Sequence, residues 1–264
     1  MVESSMKQNY RLGAKPPQAG LSLPRLPGPL AARIAPPKLD RSNVVFQPLL
    51  GMNNTYGDCT AAGLANAAEA KASLGGFSLG ISDAQILAFY AECLRLPQND
   101  LKALAAADGA YETDVLGFQA KHGFAVTNQV LVGAWASVAD PKDLNAMRVL
   151  ASEWGSAYLG VALAVADQNT DVWVANPPAD AGDPTPGSWG GHCLILWDYE
   201  GIEEDSLVRL ATWGGFQKAT WGWMRKALLE AHGILWRQLG LADLQDAEYM
   251  GLLAEGRQVA VLAP

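Results

Sequence analysis

A helix built almost entirely from small residues constrains this chain more than any other feature of its sequence. Directly after a polar, glycine-containing turn at residues 53–58, the sequence reads Cys-Thr-Ala-Ala-Gly-Leu-Ala-Asn-Ala-Ala. We expect a helix from Thr60 to about Leu74, ended by Gly75 and Gly76. Its small side chains let neighbouring elements approach the helix backbone, so we expect other parts of the chain to pack closely against it.

Cys59 lies at the start of this helix. A helix N-terminus carries about half a positive charge, which favours a thiolate over a thiol. Gly57 and Asp58 provide the bend and a candidate cap immediately before it. Cys59 is therefore a candidate nucleophile, although the local sequence fits a buried cysteine acting as a small apolar side chain equally well.

A candidate partner for Cys59 follows 133 residues later in the sequence. His192 comes after two glycines, Gly190 and Gly191, and before an apolar run. Glycines remove side chains where another backbone approaches closely, so a substrate backbone has room beside His192. Cys193, the next residue, faces the opposite side of a strand and is expected to pack in the core.

Together with a third block, these segments resemble the papain-like cysteine peptidase superfamily. Residues 57–59 resemble its nucleophile turn, residues 190–192 its Gly-Gly-His strand, and residues 212–214 its Ser-Trp-Gly segment, which a Trp-Gly pair at residues 221–222 extends. The separation of 133 residues falls in the range of roughly 130–150 that such a cysteine and histidine have. The resemblance spans about residues 50–225.

This resemblance implies an α+β fold with two halves. A helical half, about residues 41–123, would carry Cys59. An antiparallel sheet half, about residues 124–264, would carry His192, and the cleft would lie at the junction. The order of the predicted elements, helices first and strands later, is itself typical of α+β chains.

The resemblance also implies acyl transfer at a peptide or isopeptide bond. The thiolate of Cys59 would attack the carbonyl carbon, with His192 as proton acceptor. Asn53 lies six residues before Cys59, where the family has an oxyanion-hole glutamine, and would donate to the developing oxyanion. Trp213 would shield the imidazole or simply pack in the core. The expected partner is a peptide or protein substrate, and no metal ion or other cofactor is expected.

The sequence departs from the family pattern at three positions. Thr60 replaces an aromatic residue after the cysteine, and Asn53 is shorter than the glutamine by one methylene. The family's histidine-orienting asparagine aligns with Ala211, whose side chain accepts no hydrogen bond. Thr212 or a water molecule would then orient the ring of His192, or no group would.

These departures leave two further functions open. One is a structural or docking protein that keeps the fold but has lost turnover. The pattern around Cys59 is also similar to that of proteins encoded by phages and prophages, among which this chain would be a virion component. The other function is acyl transfer to an amine instead of water, as in transglutaminase-like relatives.

An extended, proline-rich arm is expected at residues 1–40. Seven prolines interrupt this segment, a density that blocks both helices and central strands. We interpret it as an arm that lies on the body of the chain or docks onto an assembly neighbour, with a disordered tail as the alternative. Family propeptides are longer and largely helical, which disfavours a propeptide.

Composition narrows the range of partners. The net charge is −8, from 19 basic and 27 acidic residues, which argues against nucleic acid and anionic membranes as main partners. Three widely spaced cysteines form neither a disulfide framework nor a metal cluster, and the three histidines are not spaced for a shared metal ion. Because the chain has neither an apolar run of about 18 residues nor an apolar signal core, we expect a cytoplasmic or virion-associated protein without a membrane span.

The remaining segments predict local structure. A capping box at Ser82 opens a helix. Further helices are predicted over residues 101–106, from Thr113 or Asp114 to Gly123, and over residues 140–154 and 220–229, with strands over residues 124–132, 157–166, 193–199, 207–212 and 258–262. Asp198 is interpreted as a turn residue, and His232 as a structural histidine near a helix end.

Overall fold

Among the described residues, four of the six α-helices precede the first strand of the chain. The structure is a computed structural model that describes residues 10–26 and 33–239. Within these residues the α-helices are α1 (Cys59–Leu74), α2 (Asp83–Cys93), α3 (Leu101–Ala106), α4 (Glu112–His122), α5 (Leu144–Val149) and α6 (Trp221–Ala227). A π-helical turn, Leu150–Trp154, extends α5, and a 3-10 turn lies at Val165–Asp167.

The strands form one hairpin and one large sheet. In chain order they are β1 (Phe124–Val126), β2 (Gln129–Leu131), β3 (Gly133–Ser137), β4 (Ala157–Leu163), β5 (Val172–Trp173), β6 (Gly190–Tyr199), β7 (Leu207–Thr212), β8 (Gly215–Thr220) and β9 (Leu228–Trp236). Among the described residues, β1 pairs with β2, and the sheet has the order β3-β9-β4-β6-β7-β8-β5. Its strand pairs are antiparallel except for β5 with β8. The expected α+β class with an antiparallel-dominated sheet is confirmed.

The small-residue helix α1 lies against β6 at the centre of the molecule. Fourteen of its 16 residues are buried. The approach is closest at Gly63, where a Cβ atom would lie 2.6 Å from Cys193 Sγ and 3.1 Å from Tyr158 Cε2. The sequence-based expectation of close packing on this helix is confirmed, and so is the packing of Cys193 in the core.

Two hydrophobic cores meet at the sheet. Along β6, Leu194 and Leu196 belong to one core, and Cys193, Ile195 and Trp197 belong to the other, which contains α1. Because successive side chains of a strand point to opposite faces, the sheet separates the two cores. Cys193 packs on α1 at Gly63, so β6 brings the preceding residue, His192, close to the helix that starts at Cys59.

The helix predicted after residue 112 and the strand predicted over residues 124–132 have different bounds in the structure. The helix α4 begins at Glu112 after Tyr111, so the predicted cap at Thr113 or Asp114 is wrong; both residues lie within its first turn. The predicted strand over residues 124–132 is instead the β1–β2 hairpin, in which Val126 pairs with Gln129 across a two-residue turn.

Two other corrections concern the sheet half. Asp198 is not in a turn but inside β6, where its carboxylate pairs with Arg209 of β7. His232 lies inside β9 and not near a helix end, because α6 ends at Ala227 and the strand starts at the next residue. The predicted strand over residues 258–262 lies outside the described residues. Within the described chain, no helix combines the length and the apolar character needed to cross a bilayer.

Candidate active site

Cys59 is the first residue of α1 and is only 1% exposed. Asp58 occupies the N-cap position, but its side chain does not cap the helix. Its carboxylate instead accepts the backbone N–H of Met52 at 3.0 Å and the side-chain amide of Asn53 at 3.3 Å. Burial raises the pKa of Asp58 to about 6, although both hydrogen bonds oppose that rise.

The environment of Cys59 favours the neutral thiol in this conformation. Burial raises the pKa of Cys59 to about 12, and the charges of Asp58 and Glu112 add to the rise. Backbone hydrogen bonds from Cys193 and Gly13 act in the opposite direction. Desolvation therefore outweighs the stabilising effect of the helix N-terminus here.

His192 is held by Thr212. The imidazole Nε2 lies 2.6 Å from the hydroxyl oxygen of Thr212, while Nδ1 has no hydrogen-bond partner among the described residues. The ring is only 1% exposed, and burial lowers the pKa of His192 to about 3. The histidine is therefore a neutral imidazole with one nitrogen engaged and the other without a partner.

Trp213 covers the imidazole from a tight turn. Thr212 and Gly215 pair at the end of the β7–β8 hairpin, so Trp213 and Gly214 form its two-residue loop. Both loop residues have positive φ, +47° and +75°, as a type I′ turn requires. The indole stacks on the ring of His192, with a centroid distance of 4.3 Å and an interplanar angle of 22°.

Asn53 is buried on the opposite wall of the site. Its side-chain oxygen accepts the indole N–H of Trp213 at 2.8 Å. Its amide nitrogen is directed to the backbone oxygen of Tyr56 and to Asp58, each at 3.3 Å. Because these two hydrogen bonds are long, the side-chain N–H groups of Asn53 are only weakly hydrogen-bonded.

One small cavity joins these side chains. Its lining consists of Leu49, Leu50, Asn53, Cys59, Ala62, Gly63, Asn66, His192, Cys193, Thr212 and Trp213. The structure thus brings together all four residues that the sequence analysis selected, Cys59, His192, Asn53 and Thr212. Ala211, which aligns with the family's asparagine, is instead buried in the core that contains α1.

Residues 10–15 of the N-terminal segment run beside residues that line this cavity, with Ala14 in a parallel bridge to Ala110. On one side, the backbone N–H of Arg11 donates to Asn53 O at 2.8 Å, and on the other, that of Ala14 donates to Gly191 O at 3.2 Å. A third wall contributes Ala110, which donates its N–H to Gly13 O at 2.8 Å and accepts from Lys15 N–H at 3.0 Å. These four hydrogen bonds hold residues 10–15 of the same chain in the cleft through their main chain.

Three glycines meet where the arm passes Cys59. A Cβ atom on Gly13 would lie 2.6 Å from Gly57 Cα and closer still to the Gly57 carbonyl oxygen. A Cβ atom on Gly109, which has a φ of +74°, would lie 2.5 Å from Gly13 Cα. No side chain larger than hydrogen fits at any of these contacts without movement.

The sequence analysis missed this third wall and the arm contacts. It predicted no element between the helix at residues 101–106 and the helix that begins at Thr113 or Asp114, and the one available signal there was the Asp-Gly pair at residues 108–109, which is typical of a tight turn. The arm is also anchored by Tyr10, whose ring stacks on Trp213 at 4.4 Å and 3°.

Comparison with known proteins identifies the architecture. No family model and no curated protein matches the sequence. In contrast, xylellain, a cysteine protease from Xylella fastidiosa, matches 87% of this chain over 97% of its own length, with a TM-score of 0.59 and 15% sequence identity. The fold is papain-like.

Two other solved structures share the papain-like fold with this chain. Procathepsin B S9 from Trypanosoma congolense matches 86% of the chain over 87% of its own length, with a TM-score of 0.58 and 12% identity. Procathepsin L 3 from the larval midgut of Tenebrio molitor matches 86% over 76%, with a TM-score of 0.57 and 11% identity. At these identities the likeness is one of fold, and it lends no support to a phage or virion origin.

Proposed function

We propose that this chain is a cysteine peptidase or amidase, with Cys59 as nucleophile and His192 as general base, and that residues 10–15 hold it latent in the conformation described above. The observation that carries the proposal is the extended segment in the cleft. A site that binds a polypeptide through four backbone hydrogen bonds, with a cysteine and a histidine on the same cavity, has the parts needed for peptide-bond cleavage.

The proposed reaction starts when residues 10–15 leave the cleft. The imidazole Nδ1 of His192 takes the thiol proton of Cys59, and the sulfur attacks the carbonyl carbon of the substrate. The backbone N–H of Cys59 and the side-chain amide of Asn53 donate to the oxyanion. The C–N bond then breaks, His192 returns the proton to the leaving amine, and water hydrolyses the thioester and regenerates the thiol.

Thr212 would act as the positioning residue for His192. For Nδ1 to accept the thiol proton, Nε2 must carry its hydrogen and donate it to the Thr212 oxygen. Asparagine fixes that direction because its carbonyl oxygen only accepts, whereas a hydroxyl both donates and accepts. We therefore propose that Thr212 supports catalysis, with weaker control of the tautomer than an asparagine would have.

The arm would keep the pair latent by limiting its access to water and substrate. Burial leaves both catalytic groups neutral, although the hydrogen bond from the Gly13 N–H to the sulfur favours the thiolate. Departure of the arm would admit water, which lowers the desolvation penalty of the thiolate and of the imidazolium alike.

Hydrolysis of peptides by an arm-displaced variant tests this proposal. Gly13→Val in the full chain cannot keep the arm in place, because its side chain would overlap Gly57. We expect it to cleave members of a peptide library, as followed by mass spectrometry, and Gly13→Val with Cys59→Ala to cleave none. A folded Gly13→Val variant without turnover would support the alternative, a papain-fold docking protein that engages neighbours through residues 1–40.

A further inference from the structure

A second group of chemically active side chains is buried away from the cavity of the candidate active site. Among the described residues, Glu112 at the start of α4 meets Glu230 and His232 of β9. The imidazole Nε2 of His232 lies 3.0 Å from Glu230 Oε2 and 3.7 Å from Glu112 Oε2, and one ligand atom from each residue falls within 4.8 Å of the others.

Glu112 is the unusual member of this group. Its side chain is fully buried, and neither carboxylate oxygen has a nitrogen or oxygen hydrogen-bond partner among the described residues. A buried carboxylate without such partners is strongly unfavourable unless a proton or a cation neutralises it. Burial and the charge of Glu230 raise the pKa of Glu112, while a hydrogen bond from the Cys193 thiol opposes that rise.

His232 is oriented for an interaction through Nε2. Its Nδ1 lies 2.9 Å from the hydroxyl oxygen of Ser137 on the neighbouring strand β3. When Nδ1–H donates to that oxygen, the lone pair of Nε2 points to the two carboxylates. An outer hydrogen bond of this kind is typical of metal-binding histidines, because it fixes the tautomer and the ring orientation.

The sheet provides the space for this cluster. Gly160 of β4 pairs with Glu230 of β9, and a register shift follows directly after this pair. A Cβ atom on Gly160 would lie 2.9 Å from Glu112 Oε1 and 2.9 Å from Glu230 Cγ. The absence of a side chain at residue 160 therefore lets the two carboxylates converge.

We propose that Glu112, Glu230 and His232 bind one divalent transition-metal ion, with Zn²⁺ as the best fit. Bonds of about 2.0–2.2 Å in a tetrahedral zinc site place ligand atoms about 3.3–3.6 Å apart, and the distances of 3.0 and 3.7 Å bracket this range. Two carboxylates balance the charge of the ion, and a water molecule takes the fourth position. The imidazole ligand and the small ligand number disfavour Mg²⁺ and Ca²⁺.

Such an ion would fix one wall of the cleft. Glu112 follows Ala110 by two residues, and Ala110 makes two of the backbone hydrogen bonds to the arm. The ion would tie this segment to β9, which pairs with β3 and β4 in the sheet. The sequence analysis expected no metal because neither the three cysteines nor the three histidines are spaced for one. Glu112 lies more than a hundred residues before the Glu-Ala-His run of β9, so their proximity is not evident from the sequence.

Metal analysis of the full chain tests the proposal. A Cys59→Ser background removes the thiol in the cleft as a competing ligand. After loading with Zn²⁺ and dialysis, we expect one zinc ion per chain by elemental analysis, and a rise in the unfolding temperature relative to the chelator-treated protein. Co²⁺ in place of Zn²⁺ should give visible absorption without the near-ultraviolet charge-transfer band of thiolate ligands.

Matched variants assign the site. Glu112→Gln and Glu230→Gln should each lower zinc affinity at least about tenfold. Glu69→Gln should retain the ion, because Glu69 is also buried but its carboxylate accepts the backbone N–H of Leu79. If Glu112→Gln does not fold, the zinc content and the Co²⁺ spectrum of the parent decide whether the site binds the ion. Three results would overturn the proposal in favour of a protonated Glu112 carboxyl. They are fewer than one bound ion in the parent, a thiolate band in the Co²⁺ spectrum, and equal zinc content in the Glu112→Gln and Glu69→Gln variants.

Discussion

The hydroxyl oxygen of Thr212 lies 2.6 Å from Nε2 of His192 and is the group that holds the imidazole. The residue one position earlier, Ala211, aligns with the family's asparagine and has no polar atom in its side chain. The structure therefore moves the orienting contact from the aligned position to the next residue. Because the hydroxyl both donates and accepts, the contact fixes the ring plane more firmly than it fixes the tautomer.

Substitution of Thr212 should separate these two effects. In an arm-displaced background, Thr212→Val removes the contact, and we expect kcat to fall about 10²-fold, the usual order for loss of an acid–base contribution. Thr212→Asn should retain or raise kcat because its carbonyl oxygen accepts from Nε2–H. Thr170→Val, in the loop before β5, is the control and should leave kcat unchanged. Equal kcat values for all three variants would remove Thr212 from the mechanism.

Displacement of the arm should be visible without any assay of activity. Gly13→Val cannot fit beside Gly57, so we expect residues 10–15 to leave the cleft. Arg11 is exposed but donates to the backbone oxygens of Thr55 and Ala105, and release would free its side chain and backbone to enter the protease. Tryptic cleavage after Arg11 should therefore be at least about tenfold faster, because proteolysis follows the population of the open form.

The control for this experiment is a second glycine of the same arm. Gly20 has a φ of +80° and open space around its Cα, and asparagine tolerates positive φ. Gly20→Asn should therefore keep the cleavage rate of the parent. Cleavage of Gly13→Val at the parent rate would mean that the arm is held by contacts other than those among Gly13, Gly57 and Gly109.

Burial of His192 predicts a defined pH dependence of stability. The pKa of His192 is lowered from 6.5 to about 3, so the unfolded chain binds the proton more readily. The stabilising contribution is fully present above pH 6.5 and is lost as the pH falls towards 3. Between pH 7 and 4 the loss should be on the order of 3 kcal/mol, taking about 1.4 kcal/mol per pH unit.

Comparison with His192→Gln isolates this contribution. The variant has no titratable group at residue 192. Its free energy of unfolding, measured in urea, should therefore fall less than that of the parent between pH 7 and 4. Asp58, whose pKa is raised to about 6, acts with the opposite sign in both proteins and cancels in the difference. A difference that does not change with pH would show that His192 is solvated in the folded protein.

The contact between α1 and β6 predicts a local limit on side-chain size. Gly63→Ala would place its Cβ atom 2.6 Å from Cys193 Sγ, and we expect a loss of about 1–3 kcal/mol in the free energy of unfolding, as overpacked cores show. Gly215→Ala, with no heavy atom within 4 Å of the new Cβ, should stay close to the parent. Urea denaturation of both variants measures the contrast, and equal stability would contradict the close packing.

Local signals in the sequence predict much of this fold. The capping box at Ser82 and Gln85 is present with both of its hydrogen bonds, and the helix at Leu101–Ala106 and the strand at Leu207–Thr212 have the predicted bounds. These elements are determined by cap chemistry and by continuous apolar runs. The short strands β3 and β8 were not predicted, because their identity depends on pairing with distant partners such as β9 and β7.

The candidate site also contains some features that the sequence predicts and others that it does not. Cys59 and His192 are evident from the sequence because each follows a glycine-containing turn at a separation typical of the family. The passage of Gly13 between Gly57 and Gly109 is not evident, because it arises when three remote segments meet. The cluster at Glu112 is equally hidden, since its partners in β9 come together with it only in the folded chain.

The central claim is that Cys59 is a reactive nucleophile once the arm has left. The most direct test is alkylation with a peptide-based electrophile at pH 6, with the modified cysteine identified by mass spectrometry. An ordinary thiol is under about 1% ionised at this pH. Cys193, which is buried, and Cys93 serve as internal controls.

The account predicts rapid labelling of Cys59 alone in Gly13→Val, slow labelling in the parent, and a large loss of rate when His192→Ala is added to Gly13→Val. Labelling of Cys59 in Gly13→Val that is no faster than that of Cys93, or that does not change when His192 is removed, would contradict it.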